Sequence, residues 1–262
     1  MRIPPACNSR FPLLEPKTTR VRHIRERLVL VHGSVVGGRA TWSAQAPLAD
    51  RFELVVLDRP GFPPNEPVER VDFETDAGFV AERLRPGDHL VGHSYGGVVS
   101  LLAAARASER LRSLCVLEPP ATRVAVGDAA VDAFVAGAVE LWERGPRDDP
   151  EAFLRRFLAA VGSTFDPPSP LPPELAQGAR ALVDERGPWE AEIPLAQLAA
   201  ARIPTLVVSG GHHPAFEAIC DVLERALHAE RAVLPGYGHA VQRHPRFNDI
   251  LAHFVERATS GP

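Results

Sequence analysis

The stretch that decides the fold runs His89-Leu90-Val91-Gly92-His93-Ser94-Tyr95-Gly96-Gly97-Val98. Its first four residues are a short aliphatic run with the character of a buried strand, and from Val98 to Ala107 small and aliphatic residues predict a helix. Between them lies the pattern G-x-S-x-G, centred on Ser94. A serine on a sharp strand-to-helix turn projects its hydroxyl above the sheet, and glycines on either side let the two backbones approach without a Cβ clash. In that setting Ser94 is the candidate nucleophile.

Working outward, the same alternation repeats. Residues 27–32 and 52–58 are buried-strand runs, the first ending at Gly33 and the second at the turn Arg59-Pro60-Gly61. Residues 72–84 show helical spacing, stopped by Pro86-Gly87-Asp88. Strands are predicted at 111–117, 205–209 and 231–234, and helices at 215–227 and 245–257. Aliphatic strands alternating with amphipathic helices predict a mostly parallel α/β sheet flanked by helices, because each parallel crossover needs a helix. The pattern breaks between about 122 and 201, where Val131, Phe134, Val135, Ala138, Val139 and Trp142 take helical spacing, as do Phe153, Phe157 and Val161. The expectation is a single domain over 1–262, with its core at about 20–121 and 202–262 and a helical cap inserted at about 122–201.

An alcohol needs a general base within hydrogen-bond reach to act as a nucleophile. His239 is the candidate, in the glycine-flanked loop Pro235-Gly236-Tyr237-Gly238-His239 after the last strand. Acyl transfer also needs donors for the developing oxyanion. The backbone N–H of Tyr95 is one candidate, and Ser34 or Val35, following His32-Gly33, supplies the other. Val35, His93 and Trp142 are candidate substrate contacts.

The chain resembles the α/β-hydrolase family through His32-Gly33 with Trp42 following, Asp58-Arg59-Pro60-Gly61, Gly92-His93-Ser94-Tyr95-Gly96-Gly97 and Gly238-His239. That resemblance implies an eight-stranded sheet with a cap, Ser94 as nucleophile, His239 as base, and Ser34 and Tyr95 as oxyanion donors. One departure stands out. Members of the family commonly carry the acid after the strand that here ends at Ser209, in a Gly-x-x-Asp pattern, but this chain reads Gly210-Gly211-His212-His213. Some members place it after the preceding strand, where Glu118 stands in Leu117-Glu118-Pro119-Pro120. Glu118 is therefore the expected acid, with Glu217, Asp221 or an unsupported serine–histidine pair as alternatives.

The expected activity is cofactor-independent hydrolysis of an ester, thioester or lactone through an acyl-Ser94 intermediate, with no metal. Carbon–carbon bond hydrolysis or cofactor-free lyase chemistry would use the same residues, and a non-catalytic small-ligand binding protein of the same fold is the rival from another class. The aliphatic and aromatic cap favours an apolar acyl or ring-bearing small molecule. A formal net charge of −4 argues against nucleic acid and anionic membrane as partners. Arg20, Arg22, Arg25 and Arg27 read as a solvated strand face. A second copy of the chain, as a homodimer, is a candidate partner. With neither a signal-peptide pattern nor a run of transmembrane length, the expected location is the cytoplasm. Cys7, Cys115 and Cys220 follow no ligand spacing and read as unpaired thiols, Cys115 as a packing residue.

Overall fold

The aliphatic runs become the strands of one all-parallel sheet. The computed structural model describes residues 25–260, so Cys7, Arg20, Arg22 and the expected core residues before Arg25 lie outside the described residues. In chain order the strands are β1 (Arg27–Val31), β2 (Glu53–Leu57), β3 (Asp88–His93), β4 (Leu111–Leu117), β5 (Thr205–Ser209) and β6 (Glu230–Val233). They lie side by side as β2-β1-β3-β4-β5-β6, six strands among the described residues where the resemblance implied eight. The helices are α1 (Gly38–Thr41), α2 (Phe73–Arg83), α3 (Tyr95–Arg106), α4 (Ala129–Arg144), α5 (Pro150–Ala160), α6 (Pro173–Val183), α7 (Leu195–Ala201), α8 (Pro214–Leu227) and α9 (Phe247–Ser260).

The central strands are largely apolar on both faces because helices cover both, with buried His89 of β3 paired to Ser113 of β4 at 2.7 Å. In β1, Val29 and Val31 enter the core beneath α2, α3 and α8, while Leu28 and Leu30 point to the core formed with Trp42, Phe52 and α9. Leu114 and Val116 of β4 face the first core, and Cys115 and Leu117 the second. This period-two partition explains why the strands read as unbroken aliphatic runs. Burial pushes the Cys115 and Cys220 thiols up, which fits packing rather than reactivity. Arg27 departs from the solvated reading: its side chain is 12% exposed and pairs with Asp88 at 2.5 Å.

Helix α3 begins at Tyr95, three residues ahead of the sequence expectation, since Gly96 and Gly97 conceal its first turn in the pattern. Elsewhere the starts are legible in the caps. Asp72 accepts from Glu74 N and Thr75 N to open α2, and Asp128 accepts from Ala130 N and Val131 N to open α4.

Between β4 and β5 the described chain is helical, with no strand. Leu141, Phe153, Leu154, Leu175, Ala179 and Leu182, from α4, α5 and α6, form a separate apolar cluster that also takes in Val35. Leu198 of α7 joins the core beneath α3 and α8 instead, so that helix sits with the sheet's own helical layer. From the end of β1 the chain turns to β2 on one side, whereas from β3 it proceeds to β4 on the other. Ligand crevices of open parallel sheets form where the order reverses in this way, outside the carboxyl ends of the strands. Ser34 and Ser94 flank that point.

Candidate active site

Ser94 leaves β3 with φ 55° and ψ −126°. Its N–H still donates to Leu117 O at 2.8 Å, while its own carbonyl accepts from Gly97 N at 2.7 Å, so ladder and helix meet at this residue. The flanking glycines are required by contact: a Cβ on Gly92 would overlap the Gly96 carbonyl and Ser100 Oγ, and one on Gly96 would overlap the carbonyls of Val31 and His32. Among the described residues five non-glycine positions have positive φ. Arg202 and His228 end helices; the other three are Val35 and Ser94, which line one pocket, and Glu118, buried just past β4. Strain of this kind, of order 1–3 kcal/mol per residue, persists where the surroundings over-determine the backbone, and it concentrates at functional sites.

Ser94 Oγ lies 2.8 Å from His239 Nε2, and His239 Nδ1 lies 2.8 Å from Glu118 Oε2. The carboxylate accepts, so Nδ1 carries the hydrogen and Nε2 is left bare to accept from the serine. Glu118 is fully buried, and its second oxygen accepts from Gly210 N at 2.6 Å. Burial alone would raise this carboxyl, but the hydrogen bond from His239, that ring's charge, the Gly210 N–H and nearby His212 together hold it below the ordinary range. Such a chain can take a proton from an attacking hydroxyl, hold the imidazolium formed, and return the proton to a leaving group.

Neither alternative acid reaches this chain. Glu217 accepts from Gly211 N at 2.9 Å and from Arg231 at 2.7 Å, and Asp221 faces Arg231 at 3.8 Å. His213, at the position where the family pattern would have aspartate, is the N-cap of α8: its Nδ1 accepts from Ala215 N at 3.2 Å and its ring packs on Phe134. It is His212 that approaches Glu118, at 3.4 Å. Glu118, His212 and His239 bring one ligand atom each within 4.8 Å, a spacing that could suit a metal. The donor set does not fit one, because His239 Nδ1 is committed as a hydrogen-bond donor and both Glu118 oxygens are already accepting.

Ser94 sits where two cavities meet. A narrow apolar cleft of about 30 Å³ runs inward among Ser34, Tyr95, Phe134, Trp142, Glu185 and Trp189. A wider pocket of about 180 Å³ leads outward past Val35, His93, Phe157, Leu175, His239 and Arg243. Val35 thus lines the outer pocket and Trp142 the inner cleft, where its Nε1 donates to Glu185 O at 3.0 Å. His93 touches the outer pocket but also has a structural partner, donating from Nε2 to His239 O at 2.8 Å. Burial and the charge of His239 pull His93 down to about 3, so it stays a neutral strut behind His239.

Two residues that sequence reasoning missed stand behind Ser34. Glu185, two residues past the end of α6, accepts from Ser34 Oγ at 2.6 Å and faces Arg59 at 3.7 Å. Burial pushes its carboxyl up to about 7 in spite of Arg59. Arg59 itself is fully buried, donates to Gly33 O at 2.8 Å and pairs with Asp76 at 2.5 Å. It was legible as part of a turn and of a motif shared with the family, but nothing local signals that it reaches back to brace the loop after β1.

Comparison with known proteins agrees with this architecture. The profile of the alpha/beta hydrolase family matches residues 28–247. The chain belongs to the α/β-hydrolase family. It is 32% identical over 176 residues to the pimeloyl-[acyl-carrier protein] methyl ester esterase of Methylococcus capsulatus, an alignment covering 67% of this chain and 66% of that protein. It is 31% identical over 231 residues to the dihydrolipoyllysine-residue acetyltransferase component of the acetoin cleaving system of Pseudomonas putida, covering 82% of this chain and 59% of that one. The chain therefore spans less than two thirds of the length of these curated relatives. A solved membrane phospholipase A, described as a bacterial virulence factor, superposes with a TM-score of 0.68 at 24% identity, over 90% of this chain and 80% of that one, and shares the fold. An esterase thus stands among the proteins this chain is similar to. No helix among the described residues is long and apolar enough to cross a membrane.

Proposed function

We propose that this hydrolase cleaves an ester, thioester or lactone of a small apolar acyl compound, without a cofactor, through an acyl-Ser94 intermediate. The observation that carries the reading is the unbroken hydrogen-bond chain from Ser94 Oγ through His239 to the buried Glu118, with 2.8 Å at each link. His239 takes the hydroxyl proton as Ser94 attacks the carbonyl carbon, and the backbone N–H groups of Tyr95 and Ser34 receive the developing oxyanion. The imidazolium returns the proton to the leaving alcohol or thiol. Water, deprotonated by the same imidazole, then releases the acid and regenerates Ser94.

The cavities support an apolar substrate, since Phe134, Phe157, Trp142, Leu141 and Trp189 dominate the walls around Ser94. The narrow inner cleft accepts a small group, and the wider outer pocket the bulkier part. An esterase acting on a methyl ester among the relatives supports the ester side of the reading. Labelling with a fluorophosphonate followed by peptide mapping tests it: modification at Ser94, with a burst of product from a chromogenic ester, is expected. A protein that binds such esters without a burst and without labelling would be a small-ligand binder on the hydrolase fold.

A further inference from the structure

The stretch Asp58-Arg59-Pro60-Gly61 takes no part in the chemistry just described, yet Arg59 is fully buried, and a guanidinium is kept from water only where partners hold it. Asp76 takes one end, at 2.5 Å from Nη1. The other end reaches the loop after β1, where Nη2 donates to Gly33 O at 2.8 Å. The same carbonyl has a second donor that also depends on Arg59. The backbone N–H of Arg59 donates to His32 Nε2 at 3.0 Å, and His32 Nδ1 lies 2.8 Å from Gly33 O. Burial and the Arg59 charge hold His32 well below its usual range, so the ring is neutral with a single hydrogen. The bond at Nε2 places that hydrogen on Nδ1, aimed at the carbonyl.

Gly33 O and the N–H of Ser34 belong to one peptide unit. Such a unit is planar and trans, so its C=O and N–H point in opposite directions, and whatever holds the oxygen also aims the hydrogen. Ser34 N–H makes no hydrogen bond among the described residues, and the unit lies against the nucleophile: a Cβ on Gly33 would stand 3.0 Å from Ser94 Cβ. Arg59 also packs on the residue that carries the other oxyanion donor, its guanidinium carbon 4.7 Å from the centre of the Tyr95 ring and 4.8 Å from that of Phe62.

We propose that Arg59 is a positioning residue of the oxyanion hole, fixing the Gly33–Ser34 peptide by its carbonyl oxygen, directly and through His32, so that the Ser34 N–H faces the reacting carbonyl. The inference rests on the acyl-Ser94 reading given above, with Ser34 as an oxyanion donor. Arg59 lines neither cavity around Ser94, so it acts only through this peptide. Its effect has two parts. It orients the N–H, and by drawing electron density toward the carbonyl oxygen it polarises the peptide and strengthens the N–H as a donor when the oxyanion forms.

Arg59→Lys keeps a cation beside Asp76 but lacks the fork that spans Asp76 and Gly33 O together. Its kcat on a chromogenic ester should fall by about 10-fold, short of the roughly 10²–10³-fold for deleting a donor outright, with KM held within about twofold. Affinity for a trifluoromethyl ketone, whose adduct with Ser94 carries an oxyanion, should fall by the same factor as kcat. Affinity for the matching alcohol, which forms no oxyanion, should stay. A loss confined to thermal stability, or one shared equally by ketone and alcohol, would overturn the proposal. If the variant does not fold, the wild-type protein decides. With its guanidinium nitrogens labelled, the Arg59 Nη signals should shift in NMR as the ketone adds to Ser94, because the new charge polarises the Gly33–Ser34 peptide; signals that stay in place would overturn the proposal. A failure of the underlying reading is distinct: the wild-type protein would form no ketone adduct at Ser94, or would form it without moving the Ser34 amide proton.

Discussion

The loops after β4 and after β5 leave neighbouring strands at the same end of the sheet, yet they serve His239 differently. The first delivers a fully buried carboxylate to Nδ1 at 2.8 Å, and the second delivers two imidazoles, one onto the far oxygen of that carboxylate and one onto the start of α8. The two strand ends are close to interchangeable as seats for an acid, because the parallel pairing of Leu117 with Val208 sets them side by side. An acid seated on β4 leaves the β5 seat open to a group of opposite character. The lesson is that the acid of such a site is a property of the pair of loops, and a missing aspartate in one is informative only when the other is read with it.

The largest expected effect comes from the residues common to both arrangements. Ser94→Ala should lower kcat by about 10³-fold or more with the fold intact, and His239→Ala by a similar factor. The double variant should be no worse than about the poorer single one, because the two act as a unit; multiplying losses, measured in steady-state assays, would break the pairing.

Glu118 comes next. Glu118→Gln keeps the shape but loses the charge and can present the wrong tautomer of His239, so kcat should fall by about 10²-fold, or about 2.7 kcal/mol, with Glu118→Asp retaining part of it. A normal kcat with altered thermal stability alone would make Glu118 structural. The comparison of loops is sharpened in the Glu118→Ala background. His212→Asp sets a carboxylate on the side of the cavity facing His239 and should return about tenfold in kcat, whereas His213→Asp should return nothing, since that position caps α8 and packs against Phe134. Equal rescue by both would mean that the β5 loop rearranges freely.

What was legible in the sequence follows the same division. Ser94, His239 and the strands around them announce themselves locally, through β-branched runs, glycines at close approaches and turn residues. Glu118 was legible only through the family resemblance, together with an absence after the neighbouring strand. The partners of Glu185 and Arg59 were not legible at all: Ser34 and Glu185 are separated by 151 positions, and no periodicity records a contact made between the loop after β1 and the helical segment between β4 and β5. The element boundaries slipped where glycine hides helix, as at Gly96 and Gly97.

The smallest expected effect concerns that contact between Ser34 and Glu185. Glu185 is buried beside Ser34, whose backbone N–H is proposed to meet the developing oxyanion, and its carboxyl is pushed up to about 7 chiefly by burial. Below that pH the group is protonated and neutral; above it the carboxyl ionises and sets a negative charge behind a site meant to stabilise another. Arg59 at 3.7 Å offsets part of that charge, so the penalty is modest. Glu185→Gln stays neutral throughout and preserves an acceptor for Ser34 Oγ. The ratio of wild-type to variant kcat should therefore decline by about 2–3-fold as pH rises from 6 to 8.5, with the midpoint near 7. A ratio flat across that range would show that the Glu185 charge does not reach the reacting oxygen and that its bond to Ser34 only holds the cap in place.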